Sequence, residues 1–573
     1  LYKKIKKVLN ILVQLDRKFA QHIILKKLSL QFEKKNWSRK KLNTICWSVG
    51  SISGIFPLEE EKNFLVNIIK DLLYLCELKK GKDNKAVIAS NIMFVVGAYP
   101  QFLQHHWKFL KTVLEKLFEF MRESHPGVQD MACDTFLKIG KSCAKKISSF
   151  FENDQPPLIE NIINKIEEVM IFLEFRQKAQ LLEGLSSILI SIENFAQKKF
   201  YISKIFELLN KEWFTSLKPN LFTKKIEVLS QISIILKLNQ HLGDFLKSPY
   251  NIFLGNFLKE TFFIYSWASE QILGRNSISN KIKSETKQDV IFKNLKKDIL
   301  GVIRVYLLYC TSDFNNSLTE GDFQKFIEPI LSIYETSSNL GIKDPDILGF
   351  CNIILKRLKL SNKTEMVRVI FSHTFLPSLK FIETNFEENL ELRKNFFDLV
   401  EILVFDFFAE IFKLDNTSSK AETSFELIVH SLIWGFKHPD HLISKNSLES
   451  LLQITTSLTQ KSLRQYFFFK FTKTILNDLF AVMIDGLHFS CFKLHCKLFF
   501  ELLQFSKEYS DISCIQMDLA IFVSNALPDL TQKESKELTI SLLNEINEIN
   551  FQKKILLIIK IDPIYQEESG SEN

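Results

Sequence analysis

Set about 100° apart on a helix, residues 101–122 sort into two apolar stripes. Phe102, Phe109, Val113, Lys116 and Phe120 make one. Leu103, Trp107, Leu110, Leu114, Leu117, Phe118 and Met121 make the other, beside it. The helix expected upstream repeats the pattern, with Phe64, Ile68, Leu72 and Leu75 in one stripe and Leu65, Ile69, Leu73 and Cys76 in the next. A helix in a two-layer solenoid needs one stripe to bury against its partner. The second stripe meets either a neighbouring helix or something from outside. If the two helices splay apart, their spare stripes line a groove with Ala89, Ile92 and Met93 as its floor and Lys70, Lys82, Lys85, Lys108, Lys111 and Lys116 around it. The chemistry of such a groove is recognition. It accepts the apolar anchors of an amphipathic helix or an extended peptide, and its lysines favour acidic flanks. If the helices stay together, both stripes are ordinary packing between repeats, and the pattern alone leaves the two readings open.

Reactive chemistry has little support. The chain lacks G-x-G-x-x-G, G-x-x-x-x-G-K-[ST], H-E-x-x-H and G-x-S-x-G. His105 and His106 are adjacent and point to different sides of a helix, so with His125 they make a poor metal set. The carboxylates are spread over polar faces. An enzyme, a metal site and a cofactor are therefore not expected. Nine cysteines are scattered, an odd number with no C-x-x-C pair, which argues against a disulfide framework or structural zinc and for a reducing compartment.

The elements that would position these residues are helices. With 573 residues, 46% hydrophobic and 24% charged, the chain is too long for one compact core and too apolar for disorder. Only 17 Gly and 13 Pro are present, too few for a sandwich or propeller. Helical periodicity runs through residues 63–79, 84–99, 101–122, 128–145 and 158–172, with Gly- and Pro-bearing breaks between them. A helix pair recurs at roughly 40–47 residues, the period of HEAT and armadillo arrays. The expected fold is all-α, a HEAT-repeat α-α superhelix, or solenoid. Residues 464–479 are very aromatic but helical in context. The net charge of +8 is a mild bias, and the short runs Lys3, Lys4, Lys6, Lys7 and Lys79–Lys80 read as solvated helix faces. The longest uncharged stretch, 86–107, carries Asn91, Pro100, Gln101, Gln104, His105 and His106, which a bilayer penalises. Neither a nucleic acid nor a membrane is expected as a direct partner. The chain opens on Leu1 rather than Met, so an N-terminal truncation is expected.

The groove residues sit inside motifs that resemble the exportin-1 family of nuclear export receptors, within the importin-beta/karyopherin group. These are LNTICWSVGSISG at 42–54, DLLYLCELKKGKDNKAVIASNIM at 71–93, HWKFLKTVLEKLFEFM at 106–121 and GVQDMACDTF at 127–136, with weaker matches RKNFF at 393–397 and SLIWGFKH at 431–438. The likeness covers nearly the whole chain as a C-terminal half, without the family's N-terminal Ran-binding repeats. It implies a groove for leucine-rich nuclear export signals lined by Ile69, Leu73, Cys76, Ala89, Ile92, Met93, Phe102, Phe109, Thr112, Val113, Phe120 and Met131. It makes Lys116 a groove-end lysine that screens peptides, puts Lys82 and Lys85 at the rim beside Lys108, and makes Cys76 a reactive cysteine whose thiolate nearby lysines favour. The implied partners are cargo proteins with leucine-rich export signals, Ran-GTP bound cooperatively, and nucleoporins. The receptor is expected to be a monomer shuttling between nucleus and cytoplasm. The implied organisation is repeats preceding the groove at 1–59, the groove pair at 60–145, C-terminal repeats at 146–530, a C-terminal helix at 531–562 and a disordered acidic tail at 563–573. The alternative function is a HEAT scaffold without a cargo groove.

Overall fold

The first helices show why this sequence is helical and where each helix stops. Asp16 opens α2 (Arg17–Ser29) by accepting from the Phe19 N–H at 3.0 Å, and Ser38 opens α3 (Arg39–Ser51) in the same way. Glu59, Glu60 and Glu61 occupy the first turn of α4 (Leu58–Leu78), where carboxylates suit the positive end of the helix dipole. Gly81, at φ 94°, makes the turn into α5 (Lys82–Gly97), a backbone region that favours glycine. Pro100 and Pro126 stand in the first turns of α6 (Pro100–His105) and α8 (Pro126–Ser142). Before them comes α1 (Tyr2–Leu15), and between them α7 (Trp107–Phe120). The remaining labelled helices are α9 (Ala144–Ser148), α10 (Leu158–Val169), α11 (Phe175–Ile190) and α12 (Phe195–Glu212).

This computed structural model describes residues 2–149, 158–217, 225–277, 287–309, 327–342, 344–357, 363–384, 389–414, 423–484, 489–527 and 530–559. Among the described residues there is no strand, and no helix is long and apolar enough to cross a membrane. The chain divides into two units, Leu1–Ala268 with Lys283–Ser317, and Ser269–Ile282 with Leu318–Asn573.

In the first unit α3, α5, α8 and α11 stack in succession and are continued by the helices Ile226–Leu246 and Lys287–Tyr309. A second layer, α2, α4, α7, α10 and α12, covers this inner one. Polar bonds between successive inner helices repeat with the period of the fold. Asn91 donates to Asn43, Thr135 to the Met93 carbonyl, and Gln177 to Asp130, at sequence separations of 48, 42 and 47. Where α8 crosses α11, a Cβ built on Gly140 would lie 2.5 Å from the carbonyl oxygen of Gly184, so the two backbones touch. The second unit follows the same plan. Helices Pro345–Arg357, Leu390–Asp406, His441–Ser457 and Phe492–Ser506 stack in order. Asn446 donates to Asp398 across one junction and Asn395 to the Pro345 carbonyl across another, at separations of 48 and 50. Both units thus carry the expected all-α HEAT-type solenoid architecture.

Two expectations are corrected. Residues 101–122 are not one helix: the chain breaks at His106 (φ −115°, ψ 78°), leaving α6 and α7. Across the break the Phe102 and Phe109 rings stand 5.4 Å apart, edge to face. The C-terminal helix expected over 531–562 is two helices, Gln532–Leu543 and Glu548–Ile559. Asn547 accepts from the N–H groups of Ile549 and Asn550 and starts the second one afresh. The tail expected at 563–573 lies outside the described residues.

Candidate functional site

α4 and α7 each spend one face on the core and keep part of another in contact with solvent. Phe64, Leu65, Ile68, Leu72 and Leu75 are at most 3% exposed. Leu65 therefore packs with the core face although it shares a stripe with Ile69, Leu73 and Cys76. From the same helix Ile69 and Cys76 are half-buried, and Leu73 is 51% exposed. On α7 the fully packed side is Leu110, Leu114, Leu117 and Phe118, while Phe109, Val113 and Phe120 are half-buried and Thr112 is exposed. Trp107, which shares a stripe with these residues, is only half-buried. Phe102, on α6, is buried at 7%. Ala89 and Met93 on α5 are buried, and Ile92 beside them is half-buried.

The reason for the partial exposure is layer geometry. α4 packs on α2 on one side, but on the other it meets the short α6, whereas α7 packs directly on α10. A cavity of about 700 Å³ opens where α4 faces the α6–α7 junction, bounded by Val66, Ile69, Phe102, His106, Lys108 and Phe109. The His106 ring lies 4.3 Å from that of Phe102 and closes one side. This volume falls within the range of about 300–1,000 Å³ usual for ligand sites. Ile69, Phe102, Phe109 and Lys108 meet at this cavity. Leu73 and Cys76 lie one and two turns further along the same side of α4, and Val113, Lys116 and Phe120 further along α7. Met131 lines a different cavity, of about 370 Å³, with Val87, Phe94 and His125. Val66 and His106 were missed by the sequence reading, although Val66 stands three residues before Ile69, a helix-neighbour spacing that would have found it.

The charges are arranged around the apolar strip. Lys82, Lys85, Lys108 and Lys116 are exposed. Lys116 pairs with Glu119 at 2.7 Å on its own helix, and Thr112 donates to the Lys108 carbonyl at 3.1 Å. Burial pushes the Cys76 thiol above its ordinary range. The Lys85 charge pulls it back and Glu77 adds a smaller push upward. The expected favouring of the thiolate by lysines is thus outweighed by desolvation. Cys133, on the buried face of α8, is pushed up to about 12 by burial, and Cys76, half-buried, is the more accessible thiol of the two.

Residues 254–557 match the family described as CRM1 C terminal, and residues 33–83 match CRM1 / Exportin repeat 3. Exportin-1 of Dictyostelium discoideum is 34% identical over 505 residues, which are 87% of this chain and 46% of that protein. Exportin-1 of Drosophila melanogaster is 34% identical over 493 residues, 85% of this chain and 46% of that one. Protein EXPORTIN 1B of Arabidopsis thaliana is 33% identical over 506 residues, 86% and 45%. The chain therefore spans about half the length of the curated relatives it matches. Among solved structures, Importin13 in its cytosolic state superposes with a TM-score of 0.62 over 97% of this chain and 59% of that one, at 12% identity, a likeness that bears on the fold alone.

Proposed function

This chain belongs to the exportin-1 (CRM1) family, and we propose that it serves as a nuclear export receptor that holds leucine-rich export signals in the cleft between α4 and α7. In this reading Leu, Ile, Phe or Met anchors of an amphipathic peptide settle against Ile69, Leu73, Phe109, Val113 and Phe120. Lys82, Lys85 and Lys108 favour acidic flanks, and Lys116 guards one end. Binding is cooperative with Ran-GTP, contributed through the remainder of the protein, and the complex passes the nuclear pore by contacts with nucleoporins. The receptor acts as a monomer shuttling between nucleus and cytoplasm, and it transports rather than catalyses.

The observation that carries the proposal is that two facing outer helices leave apolar side chains unburied beside a cavity. Packing against the cleft gives a bound anchor about 25 cal/mol for each Å² of apolar surface removed from water. A tightly stacked scaffold would instead bury Leu73, Cys76, Phe109 and Phe120, and none of the four is buried. The test is fluorescence polarisation of a labelled leucine-rich export peptide with this chain, repeated after alkylation of Cys76. Saturable binding that alkylation blocks is the expected result. Failure to bind, both alone and with Ran-GTP and the N-terminal half supplied, would leave the scaffold reading standing.

A further inference from the structure

Charge on this chain is unevenly spread. Residues 1–41 hold thirteen Lys and Arg against only Asp16 and Glu33, a surplus of eleven, while the whole chain nets +8, so the remainder carries a deficit of three. All thirteen cations are exposed. Both carboxylates are engaged locally, Asp16 with the Phe19 N–H at 3.0 Å and Glu33 with the Asn36 amide at 2.6 Å. Among the described residues, Arg39 alone of the thirteen lies within ion-pair distance of a carboxylate, Asp83 at 3.7 Å. A lysine run on one helix is an ordinary solvated face. Successive helices of one sign with almost no counter-charge set up a local positive potential.

A second observation says what that potential is for. Between α1, α2 and α3 lies a cavity of about 500 Å³, walled by Leu9, Ile24, Leu30 and Ile45, with Lys27 and Lys41 also on its lining. Gln31, 3% exposed, lines it too and accepts from the Ser38 N–H at 3.1 Å, fixing the link between α2 and α3. We infer that α1–α3 form a second docking site, for an acidic peptide segment of a partner protein. One apolar side chain enters the cavity and flanking carboxylates pair with Lys27 and Lys41. A nucleic-acid backbone supplies the charge but no side chain for the apolar recess. A bilayer would engage the apolar side chains that project from α1, such as Ile11 and Leu15, and makes no use of a recess that takes a single side chain. The site is separate from the α4–α7 cleft and does not depend on the reading given for it.

The test is fluorescence polarisation of a fluorescein-labelled acidic peptide with one central leucine, titrated with the full chain whose Cys76 has been alkylated. The expected result is saturable binding, weakened about tenfold or more by Lys27→Glu with Lys41→Glu. Replacing the peptide's leucine by serine weakens it likewise. Thr44→Trp, at an exposed position on the cavity lining, fills the recess and abolishes binding without disturbing the core. No saturable binding, or equal binding by the lysine pair and the tryptophan variant, overturns the proposal. So does binding of a single-stranded RNA or of phosphatidylserine vesicles that the lysine variants lose while the peptide fails to bind, since the patch then belongs to another partner class.

Discussion

α10 and α4 are both outer-layer helices, both strongly apolar, and they end up in different conditions. Every apolar residue of α10 (Leu158, Ile159, Ile162, Ile163, Ile166 and Val169) is buried, because α7 and α12 close on it from either side. α4 buries its core face as completely, yet Leu73 is 51% and Tyr74 57% exposed, and Ile69 and Cys76 are half-buried. Composition does not separate these helices. What separates them is the neighbour: α7 reaches α10 directly, whereas α6 interrupts the approach of α7 to α4. One broken helix thus turns surplus hydrophobicity from packing into an available surface.

The largest effect should come from opening the closed helix. Ile166→Ala, at a fully buried position, should destabilise the first unit by about 2–5 kcal/mol, read as a lower guanidinium midpoint. Leu73→Ala should shift that midpoint by less than about 0.5 kcal/mol. Equal losses would break the comparison. Next, Phe109→Ala and Leu73→Ala should each weaken an export peptide by more than about 1 kcal/mol, measured by polarisation, whereas Ile171→Ala on the exposed turn after α10 should leave affinity unchanged. The smallest effect concerns acidity. The thiolate is the alkylating form, and burial disfavours it at Cys76. Its iodoacetamide rate should therefore rise with pH through a midpoint above the ordinary thiol value of about 8.5. Lys85→Met removes the opposing positive charge and should raise that midpoint further, and Glu77→Gln should lower it. Cys133, pushed up to about 12, should remain unmodified in the folded chain.

The sequence revealed the fold through a repeat near 40–47 residues, and the polar rungs at 42, 47 and 48 residues have that spacing because each joins equivalent positions of adjacent inner helices. It also separated the two faces of α7 nearly correctly, since helical spacing decides which side chains share a side. It could not tell which face the core takes, because both are apolar and the answer rests with helices distant in sequence. Leu65 and Trp107 accordingly pack differently from the other members of their stripes. The break at His106 carries no Pro or Gly to mark it in the sequence. The upward push on the Cys76 thiol was not legible because lysines can be counted in a sequence, whereas desolvation cannot.

The bare crossing of α8 over α11 ties together two positions that are distant in sequence. A methyl at Gly140 would have to displace the carbonyl of Gly184, and one at Gly184 would press on the Phe136 ring at 2.9 Å and the Leu137 backbone at 3.0 Å. Neither site can acquire a side chain while its partner stays where it is. The two positions are therefore coupled though 44 residues apart: a side chain at either one requires α8 and α11 to move apart, and with them the repeats stacked on each side.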